Sequence, residues 1–254
     1  MIQHKSKFSL FTFLTLIFFS CASKKNIVYF QESSSNQTLT AFNPKLEEND
    51  MISINVFCLD NQCANFTISN ASSTNNRGYS NGYPAINGYL ISQDGEIDFP
   101  LIGKIKVIGL SLKETEELLK EKLSIYVKNP IVNIQIINFK ITILGDVRSP
   151  GTFLVPNERI TLLEAIGLAG DLNISGKRNN ILVVRVENNS KKEYRIDLTK
   201  KDLFTSPVYY LKQNDIVYIE PNKAKINSSA VSSSAGIILS LASLFITTIN
   251  LISK

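Results

Sequence analysis

The sequence predicts an α+β fold. Two segments begin with a capping box and carry an apolar helical face, starting at Ser111 and at Thr161. Each lies between short runs in which apolar residues alternate with polar ones, the period of a half-buried strand. Turn residues separate those runs, Asp94-Gly95 in the first half and Pro150-Gly151 in the second. Strand pairs joined by turns, with one helix in each group, argue for an α+β arrangement over repeated βαβ crossovers.

The elements follow in order. Residues 1–20 read as a secretory signal: a basic start at His4, Lys5 and Lys7, an apolar run from Phe8 to Phe19, then a small residue, Ser20. That run is shorter than the ~20 residues a spanning helix needs. Residues 21–43 are polar and rich in Ser, Asn and Thr, and read as a linker. Met51, Ile52, Ile54 and Val56 mark a strand. Residues 60–88, crowded with Asn, Ser and Gly, interrupt the pattern as an exposed insertion. Asp94-Gly95 predicts a hairpin. Ser111 and Glu114 open a helix whose apolar face is Leu118, Leu119 and Leu123. In 130–148 two strands are expected, with Val132, Ile134 and Ile136 on one face and Ile131, Asn133 and Gln135 on the other.

The second group repeats the plan. Pro150-Gly151 suits a type II turn between strands. Thr161 and Glu164 open a helix that Gly170 is placed to end. A hairpin is expected around Asn188-Asn189, and a last strand closes at Pro221. The order β-β-α-β-β-β suits a small unit of β-grasp type. The expected boundaries are 44–138 for the first domain, 139–222 for the second and 223–254 for a C-terminal helix.

Composition excludes several function classes. Without residues 1–20, Lys+Arg falls from 27 to 25 while Asp+Glu stays at 22, leaving a net charge of +3, too mild to argue for nucleic acid. His4 is the sole histidine and leaves with the leader, which removes Ser-His-Asp and His-ligated metal chemistry. No metal site, cofactor or catalytic residue is expected. Asp94, Glu96 and Asp98 are close in sequence, but they read as a turn residue and two solvated strand positions, not as carboxylates facing across a cleft. Cys58 and Cys63 suit either a small local disulfide or two small apolar residues. The basic segment Gly176–Asn180 reads as an exposed loop in which Lys177 and Arg178 are candidate saccharide contacts. Tyr79 and Tyr83 in the insertion are further aromatic candidates.

The C-terminal segment is the most distinctive. From 235 to 252 it has 18 uncharged residues, ~27 Å of helix against a ~30 Å hydrocarbon core. Gly236, Ser240, Ser243, Thr247 and Asn250 are spaced four, three, four and three, which places them on one stripe of a helix. Ile, Leu and Phe occupy the remaining surface. Such a stripe packs helix on helix, as small residues do in membranes, or faces a water-filled lumen. Asn250, the most polar member, argues for water or a partner beside it.

Several motifs together resemble a known family. The run ending at Cys21 resembles a bacterial lipobox, which implies acylation of Cys21. Residues 94–103 read D-G-x-I-x-x-P-x-x-G, 129–132 read N-P-x-V, and 145–151 read G-x-V-x-x-P-G. In this order they resemble the outer-membrane polysaccharide export (OPX) lipoproteins, a polysaccharide biosynthesis/export domain followed by an SLBB domain. The resemblance implies a homo-oligomeric ring at the outer membrane, with most of the chain periplasmic. It also implies that C-terminal helices form the pore for capsular or exopolysaccharide. The implied partner is an inner-membrane polysaccharide copolymerase, often a tyrosine kinase. A membrane-anchored saccharide-binding module without a pore is the alternative.

Overall fold

The computed structural model describes residues 25, 27–31, 42–58, 88–187, 190–231, 236, 240, 241, 243, 244, 247 and 248. The signal segment, Cys21, Cys63, Tyr79, Tyr83 and Asn250 lie outside these residues, as does nearly all of the 60–88 insertion. Cys58 is disulfide-bonded. The other cysteines, Cys21 and Cys63, are not among the described residues.

The first unit is built on β1 (Met51–Phe57), which pairs antiparallel with β2 (Tyr89–Leu90) on one side and β5 (Ile131–Ile136) on the other. A separate hairpin joins β3 (Glu96–Phe99) to β4 (Gly103–Lys106). Helix α1 (Leu112–Leu123) starts at the expected capping box. Ser111 Oγ accepts from the Glu114 N–H, and the Glu114 carboxylate accepts from the Ser111 N–H. Leu112, Leu119 and Leu123 are buried, in a core with Ile52, Ile54, Ile97, Phe99 and Ile134. The helix also serves an edge strand: Glu116 accepts from the Ile134 N–H at 3.0 Å.

Asp94-Gly95 makes a turn but not the expected hairpin. β2 leads into the turn from the three-stranded sheet, while β3 leaves it to pair with β4. The true hairpin turn is at 100–102. Gly95 is nevertheless required. It has φ +78, and a Cβ would lie 2.2 Å from the Ile108 side chain.

The second unit is a five-stranded sheet in the order β10-β9-β12-β6-β7. Its strands are β6 (Lys140–Gly145), β7 (Gly151–Leu154), β9 (Gly176–Glu187), β10 (Ser190–Ile196) and β12 (Ile216–Pro221). β6 and β12 are parallel neighbours at the centre, and the other pairs are antiparallel. Helix α2 (Leu162–Leu168) opens with the Thr161–Glu164 capping box and is followed by Gly170 at φ +76. Short strands β8 (Ile160–Thr161) and β11 (Tyr210–Leu211), absent from the sequence expectation, pair beside it. Their two-residue length is too short for any periodicity to show.

The 145–151 motif turns differently from expectation. Gly151 is the first residue of β7 and does not have the positive φ of a type II turn. Gly145 carries the strain instead, at φ +95, and a Cβ there would lie 2.0 Å from the Ile219 carbonyl oxygen. This lets β6 run hard against β12. Asp146 then accepts from the Asn173 amide and binds Ile219 O through its own N–H. Inside the same sheet Arg185 is almost fully buried against Asp215, with Nε–Oδ1 at 2.9 Å and Nη2–Oδ2 at 2.6 Å. Pro207 and Tyr210 carbonyls accept its remaining donors.

The chain leaves the sheet into α3 (Lys223–Val231), capped by Asn222 Oδ1 on the Lys225 N–H. Its described side chains are exposed. Among the described residues no helix is long and apolar enough to cross a membrane, so the expected C-terminal membrane helix has no direct counterpart in them.

Candidate functional site

Part of the expected linker is packed. Residues 27–31 lie along the second unit, where the Phe30 N–H binds Leu198 O at 3.2 Å and the Gln31 N–H binds Thr199 O at 2.8 Å. Tyr29 Oη donates to Asp171 Oδ1, and the Phe30 ring stacks on Phe204 with centroids 5.6 Å apart. Burial and the adjacent Asp171 carboxylate hold the Tyr29 phenol protonated, well above its ordinary range. The sequence offered a signal for this strap: Ile27, Val28, Tyr29 and Phe30 are four consecutive apolar, β-prone residues inside a polar linker.

Arg178 lies beneath the strap, 5.4 Å from the Tyr29 ring centroid. It is 5% exposed, and its guanidinium donates to the Gly176 and Asn173 carbonyls. Gly176–Asn180 is therefore the start of β9 and not a loop. The buried position follows from the carbonyls of the 172–176 turn, which need a donor and find it in Arg178. Lys177, one residue away, points to the other side and pairs with Glu220 at 2.8 Å; Arg195 reaches the same carboxylate at 3.4 Å.

Lys177 lines a cleft of 1010 Å³ that also includes Ile27 from the strap and Asn222, Lys223 and Lys225 from the root of α3. Ile27 of the strap and the root of the C-terminal helix thus line one cleft of the second unit. Beyond α3, Gly236, Ser240, Ser243 and Thr247 are all helical. Two of the hydroxyls turn back on the helix: Ser243 Oγ donates to Ser240 O at 2.8 Å, and Thr247 Oγ1 to Ser243 O at 2.9 Å. Such back-bonding satisfies a hydroxyl without water.

The acidic candidates do not converge. Glu96 and Asp98 lie along β3, and Asp94 lies in the turn before it. Among the described residues, no group of three or more His, Cys, Asp or Glu could hold a metal ion.

Comparison with known proteins accounts for both units. The family model for "Polysaccharide biosynthesis/export protein" matches residues 40–137, and that for "SLBB domain" matches residues 139–219. The EPS I polysaccharide export outer membrane protein EpsA of Ralstonia solanacearum is 32% identical over 108 residues, covering 41% of this chain and 29% of that protein. The protein of the same name from Ralstonia nicotianae is 31% identical over 108 residues, covering 41% and 28%. The matched part spans less than a third of the length of these relatives. With the two domain models matched in tandem over residues 40–137 and 139–219, the chain belongs to the polysaccharide export (OPX) family, an export domain followed by an SLBB domain.

Proposed function

We propose that this chain is an outer-membrane lipoprotein subunit of a homo-oligomeric translocon that exports exopolysaccharide or capsular polysaccharide, and that it is not an enzyme. The observation that carries this reading is the tandem match of export and SLBB domains, which together cover both folded units. The relatives' description as polysaccharide export outer membrane proteins supports the location and the cargo.

The meeting of strap and tail supports the membrane attachment. An acyl chain on Cys21 lies six residues before Ile27, and Ile27 shares a cleft with the root of α3. Lipid anchor and C-terminal helix therefore approach a membrane from the same end of the second unit. In this reading the tail continues as a spanning helix. Its apolar arc meets lipid, and the Gly236, Ser240, Ser243, Thr247 and Asn250 stripe meets neighbours and a lumen. Back-bonded hydroxyls suit that position, since they tolerate either lipid-side packing or water. In this reading Lys177, at the cleft surface with Lys223 and Lys225, is a candidate contact for an acidic saccharide. Arg178 is occupied within the fold. An inner-membrane polysaccharide copolymerase completes the path across the periplasm.

Single cysteines in a background lacking Cys58 and Cys63 test the tail. In detergent-extracted rings, positions 240, 243 and 247 are expected to react with a membrane-impermeant thiol reagent, and 241 and 245 to be protected. Equal labelling all round sinks the striped pore helix. Native mass separates the alternative, a pore-less saccharide-binding module, which gives monomers or dimers.

A further inference from the structure

The 172–176 turn and the root of α3 are bonded into one wall. The Asn222 N–H binds Ser175 O at 2.7 Å, Pro221 pairs with Gly176 across the sheet, and Asn222 Oδ1 caps the Lys225 N–H. The cleft along this wall is lined by three lysines, Lys177, Lys223 and Lys225, and by no Asp or Glu. Lys177 is paired with Glu220, but Arg195 shares that carboxylate, so the group stays positive. Lys223 and Lys225 are exposed, and neither makes an ion pair within the described residues.

Apolar side chains stand beside these charges. Ile174 lines the cleft and is 71% exposed. Ile226, next to Lys225 on α3, is 50% exposed, and Val28 of the strap is 40% exposed. One exposed isoleucine alone is ordinary. Several of them beside unpaired lysines match a surface that rests on a bilayer, where ammonium groups meet phosphates and aliphatic groups reach the acyl boundary. The order of residues agrees. No charged residue follows Lys225 until Lys254, and basic residues just before such a segment are those that anionic lipid attracts. An acidic saccharide would meet the same lysines but leave Ile174 and Ile226 in water. Anionic lipid satisfies both.

We propose that the cleft between the 172–176 turn and the root of α3 docks on a bilayer surface containing anionic phospholipid, with headgroup phosphates held by Lys177, Lys223 and Lys225 and with Ile174 and Ile226 at the acyl boundary. The proposal rests on the membrane-attached reading of the chain and names the surface that meets lipid.

The chain contains no tryptophan, so Ile174→Trp places a single reporter on the cleft. The full acylated chain is reconstituted in vesicles of phosphatidylcholine, with or without phosphatidylglycerol, whose acyl chains carry bromine as a quencher. Ile174→Trp is expected to be quenched when phosphatidylglycerol is present. Ile125→Trp, at an 82% exposed position of the first unit, is expected to stay unquenched. Each lysine near an anionic surface is worth about fivefold in affinity. Replacing Lys177, Lys223 and Lys225 by Gln is therefore expected to remove at least half of the quenching, whereas replacing them by Arg retains it. The Arg variant guards against loss of fold as the cause.

Equal quenching at both reporters, quenching that ignores phosphatidylglycerol, or quenching unchanged in the Gln variant overturns the proposal. So does a lysine-dependent shift of the Ile174→Trp emission on adding soluble polygalacturonate in detergent, without quenching in vesicles, which makes an acidic saccharide the occupant. Flotation separates the two readings. A native chain that fails to float with the vesicles sinks membrane attachment itself. A chain that floats while Ile174→Trp stays unquenched sinks the headgroup contact alone.

Discussion

Asp50 shows how one side chain can set a pH dependence. Burial pushes its carboxyl up to about 6, with the Glu47 N–H opposing that rise and the Glu47 charge adding to it. The folded state then holds a proton that the unfolded chain has already released, so stability falls as pH rises from about 4 to about 6. The shift corresponds to up to ~3 kcal/mol. Asp50→Asn is expected to remove this contribution. Thermal unfolding of both proteins from pH 4 to 7 should show the native chain losing ground to the variant as pH rises; parallel curves contradict it. Arg185 and Asp215 form a different kind of buried site, because their charges and donors are matched within the sheet. Arg185→Ala leaves Asp215 unpaired and is expected to cost ~3–5 kcal/mol in denaturant unfolding. Replacing both by apolar residues of similar volume is expected to recover most of that loss.

At the level of elements, the family motifs read as joints. In 94–103, Gly95 makes room for Ile108. In 145–151, Gly145 makes room for the β12 backbone. Gly145→Ala must accept both a positive φ, ~1–2 kcal/mol by itself, and a clash with the Ile219 carbonyl. The expected result is a loss of ~2 kcal/mol or more, again by denaturant unfolding. Gly151→Ala, at a position of ordinary φ with no neighbour closer than 4.0 Å, is expected to be near neutral. The strap is an element too, although its backbone forms no strand. Tyr29→Ala removes the hydrogen bond to Asp171 and the ring over Arg178. Amide exchange at Phe30 and Gln31 is expected to speed up at least tenfold, with the sheet core unchanged. Unaltered exchange means that Tyr29 does not hold the strap.

Across the whole molecule, the two units are joined by polar side chains as well as by the chain itself. Asn138 accepts from the Met51 N–H and donates to Asn49 O, while Gln213 reaches back to Asn138 O. Lys212 adds an ion pair to Glu47 across the junction. Elsewhere in the molecule, Ile27 of the strap and the root of α3 line one cleft of the second unit.

Both capping boxes, the alternating strands and the helix-ending Gly170 were legible in the sequence, because each depends on neighbours three or four residues away. The order of motifs was enough to indicate the family. The 176–180 segment was misread as a loop because an exposed basic pentapeptide and a strand with one buried arginine look alike until the carbonyls of the 172–176 turn are in place. The Asp94-Gly95 turn was legible, but the partners of its flanking strands were not, since pairing is decided by which surfaces the whole unit buries. Asp50 carried no local signal at all. The local elements, the uncharged tail and its hydroxyl stripe follow from residue order alone. Long-range packing settles which glycine has to yield to a neighbouring backbone, where the strap docks, and which carboxylate is buried. Each of those depends on residues far apart in the chain, where local periodicity has no reach.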